Sequence, residues 1–312
     1  MLARTADSLY WMSRYMERAD IVSRTLANGF YASYDISSRQ VFNWSALVKI
    51  FCYRTDEEIE AIAASSDNVL RELLIRDKNN SLKELVLKAR ENARGAQEHL
   101  TKEVWESINE TYHSTVHINI EKVIADGDQM NLILHKIDES LIYYGVFENT
   151  MPRGQGWNFM NLGRFVERSM QTLNFAEAKF AAFNNNDPEC LSILYWKNLL
   201  LNLSGYELYL KSYRGENHMQ NITDMIFLKN IFPRSITYSF GKIQLYIRNI
   251  LKENNHPNNP LIERKTGALF SKIAYTDLQG IREKGVLAFI EELKSDLYQL
   301  SQLIGQSFFS YY

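Results

Sequence analysis

Apolar residues recur at helical spacing from the first positions of the chain. Leu9, Met12, Tyr15, Met16, Ala19, Val22 and Leu26 form one stripe. At about 100° per residue, Tyr10, Arg14, Glu17 and Ile21 fall on the other side, with Arg18 at the margin. Thr5 or Asp7 is the expected N-cap. A second stripe of the same phase runs through Leu162, Phe165, Val166, Leu173 and Ala176, with Arg164 and Glu167 across from it. Residues 82–120 hold the longest helical pattern, with Leu82, Leu85, Val86, Ala89, Ala93, Ala96, Leu100, Val104 and Ile108 as its core seam and a single glycine, Gly95. Strand signals are nearly absent: there is no long alternating Val/Ile/Thr run and no Asn-Gly hairpin. Breaks are expected near 55, 78–80, 126–128, 152–156, 184–188, 214–218 and 254–260.

The chain reads as written twice. SRYMERAD is answered by GRFVERSM, which places Arg14, Glu17 and Arg18 at the spacing of Arg164, Glu167 and Arg168. WSALVKIFCY at 44–53 resembles WKNLLLNLSGY at 196–206, and LLIRDKNNSL at 73–82 resembles FLKNIFPRSI at 227–236. A looser pair is LHKIDESLIYYGVF at 134–147 and IEELKSDLYQLSQL at 290–303. The order is kept, and small loop insertions would produce the slight drift in spacing. The expected fold is therefore all-α: one domain over 1–312, a helical bundle of two tandem repeats, about 1–150 and 151–312. Each repeat would have about five helices, and the two would be related by a pseudo-twofold axis. Residues 5–30 and 155–180 would be matching helices.

Composition narrows the function classes. Of 312 residues 46% are hydrophobic and 23% charged, the profile of a soluble globular protein. Lys plus Arg is 35 against 37 Asp plus Glu, a net charge of −2 that argues against a nucleic-acid binder. Two cysteines, Cys52 and Cys190, stand apart with no C-x-x-C pair, which suggests a reducing compartment and no zinc motif. Asp7 interrupts any leader-like start, and Lys197, Asn198, Asn202 and Glu207 interrupt the apolar stretch 193–210, so a buried helix and a cytoplasmic protein are expected.

Three groups of side chains are candidates for chemistry. Arg14, Glu17 and Arg18, with Arg164, Glu167 and Arg168, read either as a solvated face or as a polar site that offers Arg forks to carboxylates or phosphates. On the second reading, Arg14 and Arg18 would be unusually buried and paired with glutamates of other helices. Glu91, Arg94 and Glu98 lie opposite the alanine seam, and Trp105 and Asn109 continue that line. They read either as a groove lining or as a solvent face. The loop TMPRGQGWNF sets Arg153 before the second R-x-x-E-R helix, and IFPRSI sets Arg234 after Pro233. Glu110-x-x-His113, with His117 a turn on, matches half of a di-iron spacing. The other E-x-x-H, Glu253 to His256, lies in ENNHPNNP, so no metal or other cofactor is expected. No nucleophile elbow, zincin motif or phosphate-binding glycine motif is present.

ADSLYWMSRYMERAD, ARENAR, WESIN, TMPRGQGWNFMNLGRFVER and PRSI, in that order, resemble the Alpha-E family of bacterial helical proteins. The resemblance covers essentially the whole chain. It implies that Arg14, Glu17, Arg18, Glu91, Arg94, Glu106, Asn109, Arg153, Arg164, Glu167, Arg168 and Arg234 matter. Gln97 and Ser169 depart from the pattern, where a basic residue and an alanine are expected. The resemblance also implies the company of a circularly permuted ATP-grasp protein and a transglutaminase-like protease. That company suggests a peptide- or amide-forming system. The expected role is a non-catalytic partner or peptide-binding module of that system, with no nucleic acid or membrane as partner. The alternative is an enzyme that uses Glu17, Glu91 or Glu167 as general acid or base.

Overall fold

Side-chain caps set most helix starts. The computed structural model describes residues 1–34, 43–184, 186–253 and 260–309. After α1 (Ala3–Tyr34) come α2 (Trp44–Phe51), begun by Asn43, whose side chain accepts from the Ser45 amide, and α3 (Asp56–Ala63), begun by a Thr55/Glu58 capping box. Ser65 and Ser81 cap α4 (Ser66–Arg71) and α5 (Leu82–Gly95) in the same way. α6 (Lys102–Val116), α7 (Ile120–Ala125) and α8 (Gln129–Thr150) follow. The chain continues through α9 (Gln155–Ala181), α10 (Pro188–Leu191), α11 (Ile193–Asn202), α12 (Tyr206–Ser212) and α13 (His218–Thr223). It ends in α14 (Ile236–Glu253), α15 (Pro260–Ala274), α16 (Leu278–Lys284) and α17 (Val286–Ile304). No strand occurs among the described residues.

The chain divides into two compact units: residues 11–152, and residues 153–312 together with residues 1–10. In the first, α5 packs on α6 and α6 on α8. In the second, α9 is the axis against which α14 and α17 pack, and α15 bridges α14 and α17. Of the 27 residues of α9, 18 are buried, so this helix is covered nearly all round.

Both units contain a π-helical turn after a short helix, and a further one, Gly305–Phe309, follows α17. Glu72–Arg76 follows α4, and Asp224–Leu228 follows α13. Each closes with an amide bonding back five residues at 3.0 Å, Asp77 to Glu72 and Lys229 to Asp224. In each case a short loop leads to a serine-capped helix, through Ser81 to α5 and through Ser235 to α14.

The sequence reading needs four corrections here. Neither Thr5 nor Asp7 is the first N-cap, since α1 already begins at Ala3 and holds both within it. About five helices per half was too few: the described residues give eight α-helices through α8 and nine after it, because capped segments of four to eight residues end before a periodic pattern can build. The 82–120 pattern is not one helix. It ends at Gly95, passes through a 3-10 turn (Gln97–His99) and restarts at Lys102. The seam survives the break because α5 folds onto α6: Ala89, Ala93, Val104 and Ile108 are all fully buried. The stretch 193–210 is likewise split, at Ser204 and Gly205, into α11 and α12. The ENNHPNNP loop lies outside the described residues apart from its ends.

The unit of residues 153–312 also holds a half-buried cation. The Lys179 ammonium lies 3.4 Å from the centre of the Tyr195 ring, and the Tyr195 hydroxyl donates to the Lys179 carbonyl at 2.9 Å. Burial pulls the Lys179 ammonium down to about 8, a shift that the nearby Cys190 only partly opposes. A folded-state value below the unfolded one means that the unfolded chain holds the proton longer. The Lys179 contribution to stability is therefore flat below pH 8 and becomes more favourable as pH rises toward the ordinary lysine value. Lys179→Met should flatten that part of a urea-unfolding profile measured from pH 7 to 10. The same slope in both proteins would show that Lys179 does not cause it.

Candidate functional site

The Glu-Arg dipeptides of α1 and α9 are interior, not solvated. Glu17 and Glu167 are both 0% exposed, because the side of each helix across from the apolar stripe is covered as well. Tyr10 and Ile21, assigned to that side in α1, are buried too. A third Glu-Arg pair, Glu263–Arg264 in α15, is exposed at both residues.

In the 11–152 unit, Glu17 accepts a 2.5 Å hydrogen bond from the Tyr144 hydroxyl of α8. One turn on, buried Asp20 takes Arg24 through both carboxylate oxygens at 2.8 and 3.0 Å. Arg24 is partly desolvated, which lowers its affinity for the proton, but the charge and hydrogen bonds of Asp20, helped by the Glu17 carboxylate, outweigh this and raise it. Glu17, Asp20 and Arg24 therefore form one ionic row along α1, with Tyr144 above it.

The margin of α1 is different. Trp11, Arg14, Tyr15 and Arg18 are half-buried and follow one another at helical spacing. The Arg14 guanidinium lies 4.4 Å from the Trp11 ring centre, Trp11 and Tyr15 stack at 5.6 Å, and Lys88 of α5 stands 6.0 Å from the Tyr15 ring. Arg18 donates to Asn80 Oδ1 at 2.9 Å, in the loop between the π turn and α5. Asn80 in turn holds the Phe51 carbonyl at 2.6 Å.

The α5–α6 hairpin rearranges the second candidate group. Arg90 donates to Asn109 Oδ1 at 2.7 Å and lies 4.4 Å from the Tyr112 ring centre, so Asn109 faces back across the hairpin. Glu91 pairs with Arg94 at 2.6 Å on an exposed surface, and Glu106 reaches Lys102 at 3.5 Å, also exposed. Glu110, His113 and His117 all lie at the helix surface, with Glu110 and both histidines exposed, so the half di-iron spacing is not drawn into the interior.

In the other unit, Glu167 accepts from Gln171 at 2.8 Å. Arg168 is buried, lies 5.1 Å from the Phe165 ring and donates to the Pro233 carbonyl at 3.4 Å, in the loop after the second π turn. Thr172 donates to the Arg234 carbonyl at 3.0 Å, and Arg234 is itself buried. Arg164 is half-buried beside the same Phe165 ring at 5.6 Å. Arg153 is exposed and covers the Trp157 ring at 3.6 Å. The predicted residues thus divide between the units. Arg14, Glu17, Arg18, Glu91, Arg94, Glu106 and Asn109 lie in one, and Arg153, Arg164, Glu167, Arg168 and Arg234 lie in the other.

A sequence model described as a predicted alpha-helical domain with a conserved ER motif matches residues 1–309. The chain belongs to the Alpha-E family. Comparison with curated proteins and with solved structures found no match. In this Alpha-E chain two of the three ER dipeptides seat the glutamate in the interior while their arginines reach the loop that follows a π turn. Sequence reading missed Tyr144, Asn80, Asp20 and Arg24. The last two carried a signal, since 17, 20 and 24 share a helix side. Tyr144, 127 residues from Glu17, carried none. No described helix is long and apolar enough to cross a membrane.

Proposed function

We propose that this Alpha-E chain is a non-catalytic peptide-binding partner of an ATP-grasp-dependent peptide or amide ligase system. Its ligand surface would be the row Trp11, Arg14, Tyr15 and Arg18. That row carries the reading: two half-buried arginines with aromatic neighbours offer planar donors to a carboxylate, at a depth where water screens less. Lys88 adds a further cation beside it. Glu17, held by Tyr144, and Arg18, held by Asn80, stiffen the helix beneath. In this reading the second ER helix has a supporting role, which the burial of Arg168 against a backbone carbonyl supports. The cytoplasm, with the ATP-grasp protein and a transglutaminase-like protease as companions, is the setting this reading assumes.

We further infer that the two halves arose by internal duplication. Two of the three described π turns stand 152 residues apart, at 72 and 224, and both precede a serine-capped helix. Arg18 and Arg168 each reach the intervening loop.

Calorimetry with a short acidic peptide tests the binding role. The free-acid peptide should bind the wild type more tightly than its C-terminally amidated form. Arg14→Ala should remove about 1.5–3 kcal/mol, or roughly ten- to hundredfold in affinity. Equal affinity for both peptides and both proteins would remove the row from consideration. ATP-independent turnover of the peptide, abolished by Glu17→Gln, would establish an enzyme instead.

A further inference from the structure

The first π turn brings together three side chains that the polar row does not use. Cys52 ends α2, Glu72 opens the π turn and Asp77 follows it. One ligand atom from each lies within 4.8 Å of the other two, and all three residues are buried. Cys52 is 3% exposed, and its thiol has no hydrogen-bond partner among the described residues. The carboxylates are only partly served. Asp77 Oδ1 accepts the amides of Asn79 and Asn80 at 2.9 and 2.6 Å, while Oδ2 has only Arg54 at 3.7 Å. The same Arg54 donates to Glu72 Oε1 at 2.8 Å. One partly exposed guanidinium therefore serves two buried carboxylates beside an unpartnered thiol.

We propose that Cys52, Glu72 and Asp77 bind a divalent cation of the zinc class. A thiolate and two carboxylates carry three negative charges, and Arg54 with a divalent ion supplies three positive ones. Mixed sulfur and oxygen donors suit zinc or cobalt, whereas magnesium and calcium take oxygen alone. Ligand atoms around a tetrahedral zinc stand about 3.5 Å apart, so small side-chain rotations would close the observed cluster. Without the ion, burial and then the charges of Asp77 and Glu72 push the Cys52 thiol up to about 12, so it stays protonated. On binding, the sulfur–hydrogen bond breaks, the proton goes to solvent and the sulfur lone pair forms the metal bond, with no change in oxidation state. The ion would tie the end of α2 to the loop that carries Asn80, the partner of Arg18. The site does not depend on the peptide reading.

The test uses the full reduced chain, stripped of metal, titrated with cobalt(II) and followed by absorption, with zinc as competitor. About one equivalent should give a near-ultraviolet sulfur-to-cobalt charge-transfer band that zinc abolishes. Cys52→Ser should lose the band, Cys190→Ser should keep it, and Glu72→Gln should weaken cobalt binding at least tenfold. No band in the wild type, a band that survives Cys52→Ser, or one lost in Cys190→Ser would overturn the proposal. If Cys52→Ser fails to fold by circular dichroism, Glu72→Gln and Asp77→Asn decide. Unchanged cobalt affinity in both would overturn it. Failure of peptide binding, measured separately, leaves this result standing.

Discussion

Glu17→Ala should unfold at a markedly lower urea concentration than the wild type, with a loss of about 3 kcal/mol. Glu17 is wholly buried, and its deletion leaves the Tyr144 hydroxyl without its 2.5 Å acceptor. It also removes one of the two carboxylates whose field supports Arg24. Tyr144→Phe removes only the donor and should cost about 1.5–3 kcal/mol, because the carboxylate stays buried. The double variant should lose less than the sum of the two single losses, with a coupling of about 1 kcal/mol or more. Glu91→Ala is the comparison on the same scale. Its exposed partner Arg94 is three residues away on one helix, so the change should stay within about 0.5 kcal/mol. Equal effects for Glu17→Ala and Glu91→Ala would mean that burial of the first contributes nothing.

The contrast between these two glutamates marks the limit of what was legible in the sequence. Periodicity placed most of the stripes of α1 and α9: Leu9, Met12, Met16, Val22 and Leu26, and likewise Leu162, Val166 and Leu173, are buried, but Tyr15, counted in the first stripe, is only half-buried at its edge. A stripe identifies one buried face but is silent on whether the opposite face is covered, because that depends on neighbours distant in sequence. The burial of Glu17 depends in part on α8, and its partner there could not be found by spacing. Arg14 and Arg18 are half-buried, and Arg18 is held by the side-chain amide oxygen of Asn80 where a glutamate of another helix was expected. Asn109 was assigned to the line of Glu91 and Arg94 because a straight helix was assumed. The turn after Gly95 instead brings it back to Arg90. The π turns were invisible, since a single residue of extra winding leaves no mark on an apolar pattern. What did show through was their setting, the matched stretches at 73–82 and 227–236.

Gly163→Ala should destabilise the protein, and the sign of the change is the test. Alanine is the better helix former by about 1 kcal/mol, so at an ordinary position inside α9 the substitution would stabilise. Gly163 is not an ordinary position. A Cβ there would stand 2.2 Å from the Tyr10 carbonyl oxygen and 3.0 Å from its carbon. Both are backbone atoms of α1, which cannot swing aside as a side-chain tip would. The helices would have to separate, which loosens the buried Tyr10 ring from Phe309, now 5.2 Å between centres. Overpacking of this kind costs about 1–3 kcal/mol or more, enough to outweigh the propensity gain. Gly145→Ala supplies the opposite case within one protein. It lies inside α8 with nothing within 4 Å of the added carbon, so it should gain about 0.5–1 kcal/mol. At Gly205 the added carbon would meet Met225 Cε at 2.7 Å and Phe232 Cζ at 2.8 Å, side-chain atoms that can yield in part, so Gly205→Ala should fall between the two. Urea unfolding of the three variants should therefore rank Gly145→Ala above the wild type and Gly163→Ala lowest. A stabilised Gly163→Ala would mean that α1 does not approach α9 through this glycine.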